Sequence, residues 1–255
     1  MADGALGLQE VAEELGVHYQ TAYRWVRSGR LPSALVGGRY EVTPAAVARF
    51  AAQRAEPRRP APRSPRGGFG QLSDRAFRQL VAGDERAARR LVAGLIEGGV
   101  SVTTVAQDVL TPALRRIGEE WSAGRLTVAE EHRASAIVER MLGEHHPTPR
   151  GRRRGTAVVA ALAGERHSLP TAMAASALRD DNWHVHHLGA DVPEADLVRF
   201  ISAQPIDLVV LTATSPDGRL AVDAVVAQLE AAGVRVLVGT AGARLDELQR
   251  SARGD

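Results

Sequence analysis

The chain has 255 residues, a formal net charge of +2 and no cysteine, and all 32 of its basic residues are arginine. The absence of cysteine excludes disulfides, thiolate metal sites and cysteine nucleophiles. The absence of lysine excludes enzymes that depend on a P-loop lysine or on a Schiff-base lysine, pyridoxal-phosphate enzymes included. No apolar run of 18 residues occurs, so we expect neither a membrane span nor a signal peptide, and a cytoplasmic location.

Two Pro/Arg-rich stretches divide the chain. Residues 56–70 predict an extended linker, and a shorter stretch of the same kind covers residues 146–155. We therefore predict domains at residues 1–55, 71–147 and 155–255. Residues 1–70 hold 10 arginines against 6 acidic residues, which is typical of a polyanion-binding head, although a difference of this size also arises by chance.

The first domain has the pattern of a winged helix–turn–helix. Apolar residues recur at helical spacing from Leu8 until Gly16, and a second helix is predicted from His18 to Ser28. Leu35–Val42 alternates around two glycines as a hairpin does, and Pro44–Ala52 predicts a third helix. Two short helices with a β wing place the second helix in the major groove of DNA.

Three stretches, VAEELGV, TAYRWVRSGRLP and GGRYEVTPAAVARF, resemble the MerR/excisionase type of winged helix–turn–helix domain. His18 stands where such domains often carry a serine or threonine N-cap. For Arg24 and Arg39 the alternative to a DNA contact is an ordinary solvated surface. The resemblance implies five contacts with a double-stranded DNA operator: Tyr19, Gln20, Thr21 and Arg24 in the groove and Arg39 on the wing.

The second domain is helical by pattern. Asp84 and Thr127 are predicted N-caps, and glycines at 98, 99 and 124 are predicted helix ends. Four helices with short loops form a small bundle. The predicted helices are Ala76–Val81, Ala87–Ile96, Val102–Trp121 and Val128–Leu142.

The third domain alternates strands and helices, which predicts a doubly wound parallel sheet. The predicted strands are Thr156–Leu162, His184–Leu188, Asp207–Thr212 and Arg235–Gly239, and no clear fifth strand follows Leu245. The predicted helices are Thr171–Arg179, Glu194–Ala203 and Ala221–Ala232. The fold class is therefore multidomain, α and α/β. Ligands of such sheets bind beyond the carboxyl ends of the strands, here the loops at 163–170, 189–193, 213–218 and 240–243.

The loop after the first strand of this sheet carries the most suggestive chemistry. His167 follows the carboxylate Glu165 by two residues, an arrangement typical of a metal ligand with the group that orients it. The alternative is a solvated loop histidine. Small and hydroxylated residues in the loops after the third and fourth strands predict a deep slot beside the sheet.

This set of loops resembles the cobalamin-binding α/β domain, whose mark is Asp-x-His-x-x-Gly. Here the pattern is Glu165-x-His167-x-x-Pro170, so two of the three marked positions differ. The resemblance implies that His167 is the lower axial cobalt ligand and that the displaced nucleotide tail fills the slot. The other residues that it implies for cofactor binding are Glu165, Ser168, Thr212, Thr214, Gly239 and Gly242.

A second motif lies in the helical domain, where Trp121 is followed after nine residues by Glu131 and His132. This pattern, and the order of the three domains, resembles the CarH/LitR-type photoreceptor regulators, in which these residues pack against the adenosyl group of adenosylcobalamin. The alternative is that Trp121 belongs to the bundle core and that Glu131 and His132 form a solvated face. Ser122 departs from the family, which often has there the histidine that takes the upper cobalt position after illumination.

Three further histidines, His184, His186 and His187, lie in one predicted strand. Their alternation favours a sheet surface over a metal site, since no third ligand accompanies the two on one face.

The resemblances imply a light-responsive transcriptional regulator, not an enzyme, that uses adenosylcobalamin as its chromophore. They imply a repressor that binds DNA as a homotetramer in the dark and dissociates in light. Two alternatives remain: a cobalamin sensor without photochemistry, which Ser122 favours, and a corrinoid carrier for methyl transfer, which the DNA-binding head disfavours.

Overall fold

The computed structural model describes residues 5–17, 19–27, 31–55, 68–145 and 151–254. The chain divides into two compact units, residues 1–63 and residues 64–255, and each is described by itself.

The first unit joins three helices to a small antiparallel sheet of order β1-β3-β2. Gly37 and Gly38 both have positive φ, as the tight turn between β2 and β3 requires. The core is closed by Trp25 against Phe50, with ring centroids 5.0 Å apart. The elements are β1 (Leu6–Gly7), α1 (Leu8–Glu14), α2 (Tyr19–Arg27), β2 (Ala34–Val36), β3 (Arg39–Val42) and α3 (Pro44–Ala55).

The second unit begins with a helical bundle. Asp84 and Thr127 accept hydrogen bonds from the amides of Ala87 and Glu130, so both predicted N-caps are confirmed. The bundle core continues onto Ala172 and Met173 of the following domain, so the two parts share one apolar core. The elements are α4 (Gly68–Ala82), α5 (Glu85–Glu97), α6 (Val102–Val105), a π-helical turn (Ala106–Leu110), α7 (Thr111–Ser122) and α8 (Val128–Glu144).

The rest of this unit is a parallel sheet of order β5-β4-β6-β7 with helices on both faces. Helices α9 and α12 pack on one face, and α10 and α11 pack on the other. The doubly wound fold class is therefore confirmed. The elements are β4 (Thr156–Leu162), α9 (Ser168–Asp180), β5 (His184–Val192), α10 (Glu194–Ser202), β6 (Leu208–Ala213), α11 (Pro216–Ala231), β7 (Arg235–Thr240) and α12 (Leu245–Arg253).

The structure corrects several predicted boundaries. Strand β5 continues through Val192, where the sequence predicted a loop, because Gly189 and Asp191 take positive φ inside an irregular, bulged pairing with β4. Helix α9 begins at Ser168 and not at Thr171, since Pro170 lies in its first turn, where no amide donor is needed. The predicted helix 102–121 contains the π-helical turn, and α12 was not predicted.

The strand order places the binding crevice. From β4 the chain proceeds to β5 on one side, and β6 returns to the other side of β4. The carboxyl ends of β4 and β6 therefore flank the topological switch point, where doubly wound sheets bind ligands.

Candidate corrinoid site

The loop between β4 and α9 holds His167 against a buried carboxylate. The Nδ1 atom of His167 lies 2.5 Å from Oε1 of Glu165, and the same oxygen accepts the His167 amide at 3.1 Å. Glu165 is 0% exposed, whereas the His167 side chain is 66% exposed. With Glu165 ionised, Nδ1 carries the proton, so the Nε2 lone pair faces outward and is available to a metal.

The other oxygen of Glu165 ties this loop to the one after β6. Its Oε2 atom accepts the amides of Thr214 at 2.7 Å and Ser215 at 2.6 Å, and the Thr214 hydroxyl at 3.1 Å. Burial by itself raises the pKa of Glu165, but the bonds from the Ser215 amide, from His167 and from the Thr214 amide outweigh it and lower the pKa to about 2. The carboxylate is therefore ionised at neutral pH, and it holds the orientation of the His167 ring through Nδ1.

A cleft of about 530 Å³ lies beside this pair, between the sheet and helices α9 and α12. Thr212, only 4% exposed, lines it, and among the described residues its Oγ1 has no hydrogen-bond partner. Gly239 and Gly242 leave backbone without side chains on one wall. A slot with apolar walls, an unpaired hydroxyl and bare backbone fits the displaced nucleotide tail of a cobalamin.

The residues predicted to contact the adenosyl group lie on two helices of the bundle, α7 and α8. Trp121, near the end of α7, is 46% exposed, so the alternative that it is buried in the bundle core is wrong. On α8, Glu131 binds the Nδ1 atom of His132 at 2.6 Å and accepts the Ser135 hydroxyl at 2.8 Å. These two residues are neighbours in the sequence, and the His132 side chain is 75% exposed, as the alternative of a solvated face predicts.

Helix α8 also contacts the residue that follows His167. Two turns beyond Glu131, the carboxylate of Glu139 lies 3.5 Å from the hydroxyl of Ser168, the residue after His167. Eight residues of helix separate Glu131 from Glu139 by about 12 Å. Sequence reasoning missed Glu139, because its contact with Ser168 joins residues 29 positions apart and leaves no local signal.

The first unit contains the predicted DNA-contacting residues. Tyr19, Gln20 and Thr21 open α2, and Arg39 opens β3 with an exposed side chain. Tyr19 and Tyr23 stack with centroids 6.4 Å apart, and Tyr40 of the wing meets Tyr23 edge-on at 6.1 Å. Arg24 lies within α2, but its side chain is outside the described residues, as is His18. Sequence reasoning missed Tyr23 and Tyr40, whose aromatic character was the available signal.

The three strand histidines do not converge. His184 and His186 face one side, with ring centroids 4.8 Å apart, while His187 faces the other and binds the Thr171 hydroxyl at 2.7 Å. Burial lowers the pKa of His187. Over residues 5–17, 19–27, 31–55, 68–145 and 151–254, no three histidine, cysteine or acidic side chains form a metal-binding group.

Among the helices described, none is both long enough and apolar enough to cross a membrane.

Family models match three parts of the chain. A helix-turn-helix domain matches residues 5–55, and B12 binding domains match residues 72–144 and 155–255. The chain therefore has the architecture of proteins that join a helix-turn-helix domain to B12 binding domains.

One curated relative is a transcriptional regulator. The HTH-type transcriptional repressor CarH of Myxococcus xanthus is 36% identical over 141 residues, which cover 54% of this chain and 47% of that protein. The chain thus spans about half the length of this relative. Together with the three domain matches, this identity confirms the resemblance to CarH-type regulators.

A solved structure agrees with the fold. The monomethylamine corrinoid protein of Methanosarcina barkeri superposes with a TM-score of 0.58 at 14% identity, over 73% of this chain and 99% of that one. At this identity the likeness concerns the fold alone.

Proposed function

We propose that this protein is a cobalamin-dependent transcriptional regulator, a repressor and not an enzyme, that uses adenosylcobalamin to respond to light. One observation carries the proposal: the His167–Glu165 pair, with its Nε2 atom outward, stands beside a cleft whose Thr212 hydroxyl lacks a partner among the described residues. The same chain begins with a helix-turn-helix domain.

On the side of the sheet domain, which we call the lower side, His167 would bind the cobalt of the cofactor through Nε2. Glu165 fixes the tautomer and the direction of the imidazole, and the Thr214 and Ser215 amides fix Glu165 in turn. The nucleotide tail would occupy the cleft that Thr212, Gly239 and Gly242 line. Thr214 lines this cleft and also supports Glu165, so one residue serves both parts of the site.

On the side of the helical bundle, which we call the upper side, Trp121, Glu131 and His132 would hold the adenosyl group. When bound, adenosylcobalamin supplies a cobalt–carbon bond that light breaks. The half-exposed Trp121 ring offers a face to the adenine, and the Glu131 carboxylate, held by Ser135 and His132, offers acceptors to the sugar hydroxyls.

The DNA-binding head acts through assembly. One winged helix–turn–helix provides few base and phosphate contacts, so tight binding to an operator needs several linked heads. We propose a tetramer in the dark that binds DNA through Tyr19, Gln20, Thr21, Arg24 and Arg39, and that dissociates when light removes the adenosyl group.

The test compares the loaded full-length chain in the dark and after green light. We expect light to change the absorption spectrum, to delay elution in size-exclusion chromatography and to weaken operator binding in a gel-shift assay. His167→Ala should abolish the spectrum of bound cofactor, whereas the exposed strand variant His184→Ala should leave it intact. An unchanged elution and unchanged DNA binding after illumination would contradict the light response.

Ser122 favours a second candidate, a cobalamin sensor without a photoresponse. It ends α7 directly after Trp121 and offers a hydroxyl, a poor cobalt ligand, where the photoreceptor family often has a histidine. Ser122→His separates the candidates. The sensor without a photoresponse is favoured by two results together. Only Ser122→His forms a stable spectral product after illumination, and DNA binding by the wild type changes on adding cobalamin but not on illumination.

A further inference from the structure

The cleft beside His167 is not built from the sheet domain alone. Helix α7 of the bundle contributes Thr111, Leu114 and Arg115 to its lining. Leu114 packs on the shared apolar core, whereas Arg115 is exposed. Thr111 and Arg115 are four residues apart, so they lie one helical turn apart on the same face of α7.

Some of the charged side chains that line this cleft form ion pairs, and others do not. Arg244 is paired with Asp246 at 3.0 Å, and Glu247 lies 3.9 Å from Arg250. Arg115 also lines the cleft, and within the described parts of the chain no ion pair joins its guanidinium to a carboxylate. The cleft therefore has a guanidinium that is available to an anion.

On the other walls the arginine among the lining residues is Arg244, which is already paired with Asp246. The sheet side is apolar at Val210 and Leu237, with the buried Thr212 hydroxyl between strand ends. These groups suit a flat, uncharged base. A tail that joins such a base to a phosphodiester can therefore contact the apolar walls of the sheet with its base and Arg115 of α7 with its phosphodiester.

We propose that Arg115 binds the phosphodiester of the cofactor's nucleotide tail and makes the site selective for corrinoids that carry this tail. The inference rests on the proposed cobalamin site and adds a specificity residue to it. A guanidinium binds a phosphate through two parallel hydrogen bonds, which an ammonium or an amide does not reproduce.

The location of Arg115 has a consequence for the bundle. Trp121 follows six residues later on the same helix, about 9 Å along its axis. One helix thus contacts the tail through Arg115 and the upper group through Trp121. Cofactors without the tail lose this anchor of the bundle.

The test titrates the full chain, in the dark, with adenosylcobalamin and with adenosylcobinamide, which has the same ring and upper group but no nucleotide. We expect Arg115→Ala to weaken adenosylcobalamin binding by about tenfold and to leave adenosylcobinamide binding unchanged. Arg115→Gln should behave like the alanine variant. Arg86→Ala, an exposed arginine on α5, is the matched control and should change neither affinity.

Salt gives a second readout that a structural role would not change. Adenosylcobalamin affinity should fall more steeply with ionic strength in the wild type than in Arg115→Gln. Equal losses for both corrinoids, or no loss for either, would overturn the assignment. If the wild-type chain binds neither corrinoid, the proposed function itself fails, and the assignment fails with it.

Discussion

The two sides of the proposed corrinoid site are built differently. Below, Glu165 is fully buried and bonded to His167, Thr214 and Ser215. Above, Trp121 is half exposed, and Glu131 and His132 bind mainly each other on the surface of α8. The lower side is organised before any ligand arrives, whereas the upper side has polar and aromatic surface still to be covered. This difference suits a cobalt ligand that stays bound on the lower side and an adenosyl group that light removes on the upper side.

The largest effect should come from His167→Ala. This variant removes the proposed metal ligand and leaves the rest of the site in place, so we expect cobalamin affinity to fall by at least about 100-fold. Spectrophotometric titration measures the loss. If binding and spectrum persist, with His184→Ala behaving identically, the lower side does not provide the cobalt ligand.

Glu165→Gln tests whether the lower side depends on its buried carboxylate. The amide keeps the shape but loses the charge, and its NH₂ group opposes the amide donors of Thr214 and Ser215. We expect a loss of about 10- to 100-fold in affinity and a destabilisation of about 1–3 kcal/mol. Titration and urea unfolding measure the two, and an unchanged affinity would show that His167 needs no orienting group.

Trp121→Ala tests the upper side. Stacking of a base on an aromatic ring is worth about 1–3 kcal/mol, so the preference for adenosylcobalamin over methylcobalamin should fall by at least about fivefold. Val128→Ala removes another exposed apolar side chain near the start of α8 and is the control. Equal affinity of the wild type for both cofactors would contradict the assignment of Trp121.

The smallest effect concerns the ion pairs that hold the bundle. Arg140 and then Arg89 hydrogen-bond to Glu85 and lower its pKa to about 2. A lowered pKa stabilises the folded state above the ordinary value near 4.5, and this contribution is lost as pH falls toward 2. Glu85→Gln should therefore be slightly less stable than the wild type at pH 7, and the difference should shrink between pH 4.5 and 2. A difference independent of pH in urea unfolding would contradict this.

The sequence predicted the parts of this account that depend on local pattern. The Glu165-x-His167 spacing, the strand β4 and the caps at Asp84 and Thr127 follow from neighbouring residues. The bonds from Thr214 and Ser215 to Glu165 did not, because they join residues about 50 positions apart. The course of β5 through Gly189 was missed because a glycine in a strand has the same local signature as a loop.

The contributions of Arg115 and Glu139 depend on tertiary packing. Arg115 is exposed and Glu139 is partly buried, and the helical pattern around each predicts only a solvent-facing side chain. The packing of the bundle on α9 gives them neighbours, since it brings Glu139 to Ser168 and Arg115 to the cleft. No local pattern contains that information.

The most direct test of the lower-side claim is the electron paramagnetic resonance spectrum of the bound cofactor in its cobalt(II) form, with ¹⁵N-labelled protein and unlabelled cofactor. The account predicts that labelling changes the nitrogen splitting from the triplets of ¹⁴N to the doublets of ¹⁵N, because a protein nitrogen, that of His167, is the axial ligand. Triplets that persist in the labelled protein would show that the cofactor's own base is the ligand and would contradict the account.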